Sequence, residues 1–307
     1  MPFWLRKLRQ ALSENFRILK RSNEKEAMRQ FEKRLGYKPN IDNPVTYNEK
    51  LTRFKLEADK PIFRQLADKL AVRKFVEKRI GKEHLVPLVG HEERLTREFF
   101  NSLPESFVIK ANHGSAMNHI VLDKKDINFI ALRRETDKWL SRNYFVSSRE
   151  AQYRSIPPCI IVETLLTDSL GKVPSDYRVH CFHAKSEEKH TIIQVDSDSL
   201  GNHTRDYFDQ NWNQLDIQGK YPNSYTERLP LKPKELEGLI RTAWKLAKGF
   251  SYVRVDLYLI SGHIYFGEMT FTPVSGFMPL TPSTIDKQWG DWFDLDHQLS
   301  LSTLDDL

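Results

Sequence analysis

The chain has 307 residues, 39% hydrophobic, 11% aromatic and 29% charged, which fits a folded protein of one large core or two to three lobes and excludes a disordered or fibrous chain. Lys and Arg number 47 against 41 Asp and Glu, a formal +6 spread along the sequence. That excess suits anionic ligands such as nucleotides, sugar acids or an acidic lipid surface, and no zinc-finger, basic-aromatic or recognition-helix pattern points to a nucleic-acid partner.

Cys159 and Cys181 form no CxxC pair, no run approaches the roughly 20 apolar residues of a membrane span, and no secretory cleavage signal is evident, so the expected compartment is the cytoplasm. Residues 1–21 read as a basic amphipathic helix, with Trp4, Leu8, Leu12, Phe16 and Leu19 on one stripe among Arg6, Lys7, Arg9, Arg17, Lys20 and Arg21. Such a helix either lies on the inner face of an anionic membrane or docks on the protein's own body.

The pattern stays helical and charged to Gly81, interrupted by Pro39, Pro44 and Pro61. Asp68 reads as the N-cap of a helix over 69–79 that ends at Gly81 and carries Lys69 on its first turn. Short strands are expected over 107–111 and 120–122 around the loop 112–119, then a helix over 126–143 and a buried strand over 159–166 behind Pro157 and Pro158. Strands over 177–183 and 191–195, a helix over 232–250 and a hairpin over 252–260 and 263–271 complete the pattern. The tail after Trp292, with Asp294, Asp296, Asp305 and Asp306, offers little for a core and is expected to fray.

In the hairpin, Val253, Val255, Leu257 and Leu259 alternate with Arg254, Asp256 and Tyr258. A three-residue loop around Ser261 and Gly262 would bring Arg254, Asp256, Glu268 and Thr270 to one face, and a two-residue loop would not. Two carboxylates on adjoining strands suit a hard divalent ion such as magnesium, or equally a solvated polar face offset by an arginine. Lys110 projects from a strand into the Gly-containing loop of FVIKANHGS, where a lysine and loop amides can hold phosphate or simply sit at the surface. His113 and His119 are either ligands or structural. Glu163 interrupts the apolar IIVETLL, so it pairs internally or faces a cleft. Asp176 and Arg178 alternate outward in SDYRVHCF. Asp196-Ser197-Asp198 has the DxD form used by nucleotide-sugar transferases, a short motif in a polar stretch.

In order, ADKLAVRKFVEKRIG, FVIKANHGSAMNHIV, IIVETLL, SDYRVHCFHAK, YFDQNW and RVDLYLISGHIYFGEMTFTPVSGF resemble the ATP-grasp superfamily. The resemblance is closest to the TupA-like ATP-grasp proteins of teichuronopeptide and other surface-polysaccharide biosynthesis. It implies an α+β ATP-grasp fold in which two α+β lobes grip ATP: a helical N-terminal region over 1–60, a first lobe over 61–156, a second lobe over 157–293 and an acidic tail over 294–307.

ATP and Mg2+ are the implied cofactors, and the implied reaction is ADP-producing carboxylate-amine ligation on small-molecule or polysaccharide-linked substrates. Lys69 and Lys110 would be the ATP-phosphate lysines, with the loop of His113, Gly114, Ser115 and Asn118 closing over the phosphates. Glu163, Thr164 and Leu165 would form the adenine hinge and Asp176 would lie near the ribose. Arg178 and Arg254 would face the acyl phosphate, and Asp256 with Glu268 would hold magnesium. Thr270 stands where many such ligases place an Asn metal ligand. Ala116 and Met117 stand where a Gly and an aromatic are expected, which implies a stiffer loop. Outside this family, a glycosyl or phosphoryl transferase or a non-catalytic nucleotide-binding module at the membrane would also fit the composition.

Overall fold

The computed structural model describes residues 23–168, 171, 174–197, 203–225 and 229–307; the amphipathic helix expected over 1–21 lies outside them. The described chain is α+β and builds two antiparallel sheets. It opens with helices α1 (Asn23–Leu35), α2 (Tyr47–Glu57), α3 (Pro61–Ala67) and α4 (Val72–Ile80). Thr46 and Glu49 form a reciprocal capping box that starts α2. Asp68 does not cap a helix starting at Lys69: residues 69–71 form a turn, its carboxylate accepts from Leu70 N and Ala71 N, and α4 begins at Val72.

The smaller sheet contains β1 (Leu88–Glu92), β2 (Phe107–Ala111), β3 (Asn118–Val121) and β4 (Ile160–Glu163) in the order β1-β4-β2-β3. Its core joins Phe107, Ile109, Val121, Ile160 and Val162 to Phe100 of α5 (Arg97–Ser102) and to Phe129 and Leu132 of α6 (Phe129–Ser141). Helix α6 is shorter than the expected 126–143 because Asn128 caps it by accepting from Ala131 N. The short α7 (Tyr144–Ser148) follows.

The larger sheet contains β5 (Asp176–His183), β6 (Lys189–Ser197), β7 (Thr204–Asp209), β8 (Tyr252–Ile260) and β9 (His263–Thr270) in the order β7-β6-β5-β8-β9. Strand alternation sorts its residues: Val179, Cys181, Val253, Val255 and Leu257 share one apolar face with Leu239, Ala243 and Leu246 of α8 (Leu236–Ala247). The opposite face begins apolar, where Phe182 and Tyr252 meet Tyr47 of α2 and Trp289 of α9 (Thr284–Trp292), and becomes charged toward Asp176 and Asp256. Helices α2, α3 and α4 contribute Leu51, Phe54, Ile62, Phe63, Val72 and Phe75 to this same core.

Two further expectations are corrected. The tail is packed: Leu295 opens α10 (Leu295–Ser300), Leu301 follows it, and both are buried in the large core, while Ser251 donates to Asp294 O and to Gln298 Oε1. Its few apolar residues suffice because each meets a preformed surface. The hairpin turn has two residues, Ser261 and Gly262, since Ile260 pairs with His263; both have positive φ, 50° and 81°. Asp256 nevertheless pairs with Glu268, because pairing shifts from Leu257 opposite Phe266 to Asp256 opposite Glu268 and leaves Gly267 as a bulge. Without that extra residue Glu268 would point to the apolar face. A Cβ at Gly267 would lie 3.1 Å from the Asp256 carbonyl oxygen and 3.2 Å from the Tyr258 ring, so the bulge uses a residue without one.

Candidate active site

The charged face of the large sheet meets the small sheet at a cleft lined by Val86, Val108, Ile120, Glu163, Leu165 and Tyr258. From the small sheet, Lys110 Nζ donates to Glu163 Oε2 at 2.7 Å, and the other Glu163 oxygen accepts from Arg73 of α4 at 2.9 Å. Glu163 therefore pairs internally and also borders the cleft with Thr164 and Leu165. Arg73 was missed in the sequence, although it stands four residues beyond Lys69 at helical spacing.

Lys69 Nζ donates to Gly114 O and to Glu268 Oε1, both at 2.9 Å, so one ammonium joins the loop to the hairpin. The loop is closed by Ala111 N donating to Met117 O, and Ala116 holds a left-handed φ of 56°. Asn118 pairs with Lys110 across β2 and β3, and Ser115 lies beside Tyr144. His113 is placed differently from a phosphate ligand. Its ring is buried, with Nε2 facing Trp139 O and Arg142 O at the end of α6, because Asn112 and α6 enclose it. Burial lowers its pKa, assisted by Lys69. His119 instead lies 3.0 Å from Glu135, half-exposed.

On the large sheet Arg254 clasps Asp256 with two bonds of 2.7 Å and donates to Thr270 Oγ1 at 3.1 Å. Arg178 reaches Asp176 at 2.9 Å and Asp196 at 2.6 Å, with its Nε 3.6 Å from Asp256. Burial pushes the Asp256 carboxyl up against the pull of Arg254 and Arg178. Burial would also raise Glu268, but Lys69, Arg254 and Lys110 outweigh it and hold that carboxyl below its ordinary value. Asp196 is held far below the carboxylate range: burial opposes its charge, and Arg205 and Arg178 overcome it. Its side chain is fully enclosed and takes two 2.7 Å bonds from Arg205, so it cannot offer the open carboxylate of a DxD metal site; Asp198 lies outside the described residues.

The turn after β9 runs left-handed through Val274, Ser275 and Gly276, with φ of 52°, 58° and 75°. One face of α2 holds it: Asn48 exchanges hydrogen bonds with both backbone groups of Met278, Thr52 donates to Gly276 O and Lys55 donates to Ser275 O. Glu150 accepts from Thr272 and Ser275. Burial lowers the Lys55 pKa to about 7.

The arrangement thus gathers Lys69, Gly114 and Glu268 at one point, Lys110 and Glu163 at a second, and Asp176, Arg178, Arg254, Asp256 and Thr270 at a third. Asp256 and Glu268 supply hard oxygen donors side by side, a donor set that would fit a divalent cation. Among the described residues no group of three His, Cys, Asp or Glu could hold a metal ion by itself, so substrate oxygens and water would have to complete the shell. No helix among them is long and apolar enough to cross a membrane.

Two opposed antiparallel sheets with lysines from one side and paired acids from the other are the ATP-grasp arrangement. A family profile described as TupA-like ATPgrasp matches residues 49–294, and the chain belongs to that family. Among solved structures it is similar to D-alanine-D-alanine ligase from Helicobacter pylori, at 14% identity and a TM-score of 0.41 over 78% of this chain and 61% of that one. It is also similar to the Bacillus anthracis D-alanine-D-alanine ligase complexed with ATP (15% identity, TM-score 0.43, 78% and 66% covered). The L-amino acid ligase from Bacillus licheniformis matches at 13% identity and a TM-score of 0.42, with 81% and 49% covered. The chain spans less than two thirds of each of these three proteins. A comparison with curated proteins gives no match.

Proposed function

We propose that the chain is an ATP-dependent carboxylate-amine ligase that activates a carboxylate as an acyl phosphate and joins it to an amine. The observation that carries this reading is the direct pairing of Asp256 with Glu268 across the Gly267 bulge, within reach of Arg254, Lys69 and the opposing Lys110. Lys69 and Lys110 draw negative charge from the phosphates by exchanging their present carboxylate partners for phosphate oxygens. Arg254 and Arg178, already fixed by their acids, present guanidinium N–H groups where charge develops on the acyl phosphate. Asp256 and Glu268, with Thr270 beside them, would hold Mg2+, which when bound neutralises phosphate charge. Thr164 and Leu165, next to Glu163, offer backbone groups to the adenine edge, and Asp176 lies at the strand end assigned to the ribose.

The substrates we assign are a sugar acid or amino acid as acyl donor and an amino acid or amino sugar as acceptor, attached to a bacterial surface polysaccharide or its precursor. ADP release from Mg·ATP, screened against pairs of uronic acids, amino acids and amino sugars, tests the reading. Release that requires both partners supports it, and a purified protein that fails to bind ATP would sink it. Membrane contact through residues 1–21 is a separate proposal. Deleting them should abolish co-sedimentation with anionic liposomes, and unchanged co-sedimentation would disprove it.

A further inference from the structure

Behind Arg178, a file of polar side chains crosses the buried part of the large sheet. Tyr47 Oη donates to Tyr252 Oη at 2.6 Å, Tyr252 Oη lies 3.0 Å from His180 Nδ1, His180 Nε2 lies 3.3 Å from Gln194 Oε1, and Gln194 Nε2 donates to Asp196 Oδ1 at 2.9 Å. Tyr47, Tyr252 and His180 are wholly buried, and Gln194 is 1% exposed. The direction of every proton follows from the last member. An ionised carboxylate only accepts, so the Gln194 amide must turn its nitrogen to Asp196 and its oxygen to His180. His180 must then carry its proton on Nε2 and leave Nδ1 to accept from Tyr252, whose oxygen accepts in turn from Tyr47.

We propose that Tyr252, His180 and Gln194 form a directional relay of positioning residues that fixes how Asp196 holds the Arg178 guanidinium, with Tyr47 a donor to Tyr252 from outside it. The proposal rests on the role given to Arg178 above. Burial, with Arg254, Arg205 and Arg178 nearby, keeps His180 neutral, as the relay requires. A reversed amide would set its carbonyl oxygen against Asp196 and loosen a carboxylate that also receives Arg205 and Arg178.

Gln194→Leu removes the amide that directs Nε2, keeps most of the side-chain volume, and leaves Tyr252 Oη as the one partner facing the ring, able to accept from Nδ1. Nitrogen-15 NMR should show His180 protonated on Nε2 in the unmodified protein and shifting toward Nδ1 in this variant, with the Arg178 Nε–H signal broadened. ADP release should fall about tenfold while the affinity for Mg·ATP stays within about twofold. Tyr47→Phe, outside the relay, removes a buried hydroxyl but leaves Tyr252 donating to His180, so it should keep the tautomer and the turnover even if its melting temperature drops. Nδ1 protonation in the unmodified protein would overturn the relay, as would a Gln194→Leu variant with an unchanged tautomer and Arg178 signal. These spectra are recorded without substrate, so a protein that never turns over ATP would defeat the ligase reading and leave this test intact.

Discussion

Lys110 and Asp196 sit on different sheets and are held in opposite ways. Lys110 keeps about a fifth of its side chain exposed (20%) and is tied to one carboxylate, which Arg73 also satisfies. Asp196 has none of its side chain exposed, and two guanidinium groups and an amide converge on it. Withdrawing Lys110 leaves Glu163 paired, whereas withdrawing Asp196 leaves the buried Arg205 without its carboxylate and takes from Arg178 the nearer of its two close acids. The small sheet therefore carries charge that can change partners at low cost, and the large sheet carries charge fixed before any ligand arrives.

The sharpest way to break this contrast is to neutralise the large sheet without changing its shape. Asp256→Asn should lower ADP release about a thousandfold with little change in circular dichroism; retained turnover would remove the assigned role of the pair. Next, Asp196→Ala should cost about 3 to 5 kcal/mol in urea unfolding, because it strands the buried Arg205 guanidinium, and Glu163→Ala should cost about 1 to 2 kcal/mol, because its partners Lys110 and Arg73 are part-exposed and can turn to water. Equal costs would dissolve the distinction between the sheets. Lys110→Ala should then weaken Mg·ATP binding about tenfold to a hundredfold by calorimetry and leave the melting temperature nearly unchanged.

Acid titration probes the same contrast. The folded-state values of Asp196 and Glu268 lie below their ordinary ones, so their stabilisation is complete above the unfolded carboxyl range of about pH 4 and is lost as pH falls through the folded values. Unfolding should therefore set in below about pH 4, and Asp196→Asn should flatten that limb of the curve. The smallest effect is expected at Ala116→Gly, which should add about 0.5 kcal/mol of stability by relieving the left-handed backbone there, read as a slight rise in melting temperature.

Much of this arrangement is legible in the sequence. Alternation in β8 and β9 announces a charged face, and the helical spacing of Leu236, Leu239, Ala243 and Leu246 announces α8. The register that brings Asp256 to Glu268 is legible only in its result: the expected loop length was wrong, and Gly267, which restores the pairing, carries a signal only as an isolated glycine in a strand. Asp196 was noticed for its spacing to Asp198, yet its role depends on Arg178 and Arg205 from neighbouring strands, contacts no local pattern encodes. The ring of His113 turns inward for a similar reason, since the carbonyls it meets come from the end of a helix more than twenty residues downstream.

The polar stripe of Asn48, Thr52 and Lys55 on α2 has a practical consequence for anyone recombining relatives of this protein. It works as a mould for the turn after β9, and mould and casting lie at opposite ends of the primary structure. Chimaeras that exchange the N-terminal third should therefore travel with residues 272–278 from the same parent. A graft that mixes parents would leave a left-handed bend with nothing shaped to seat it.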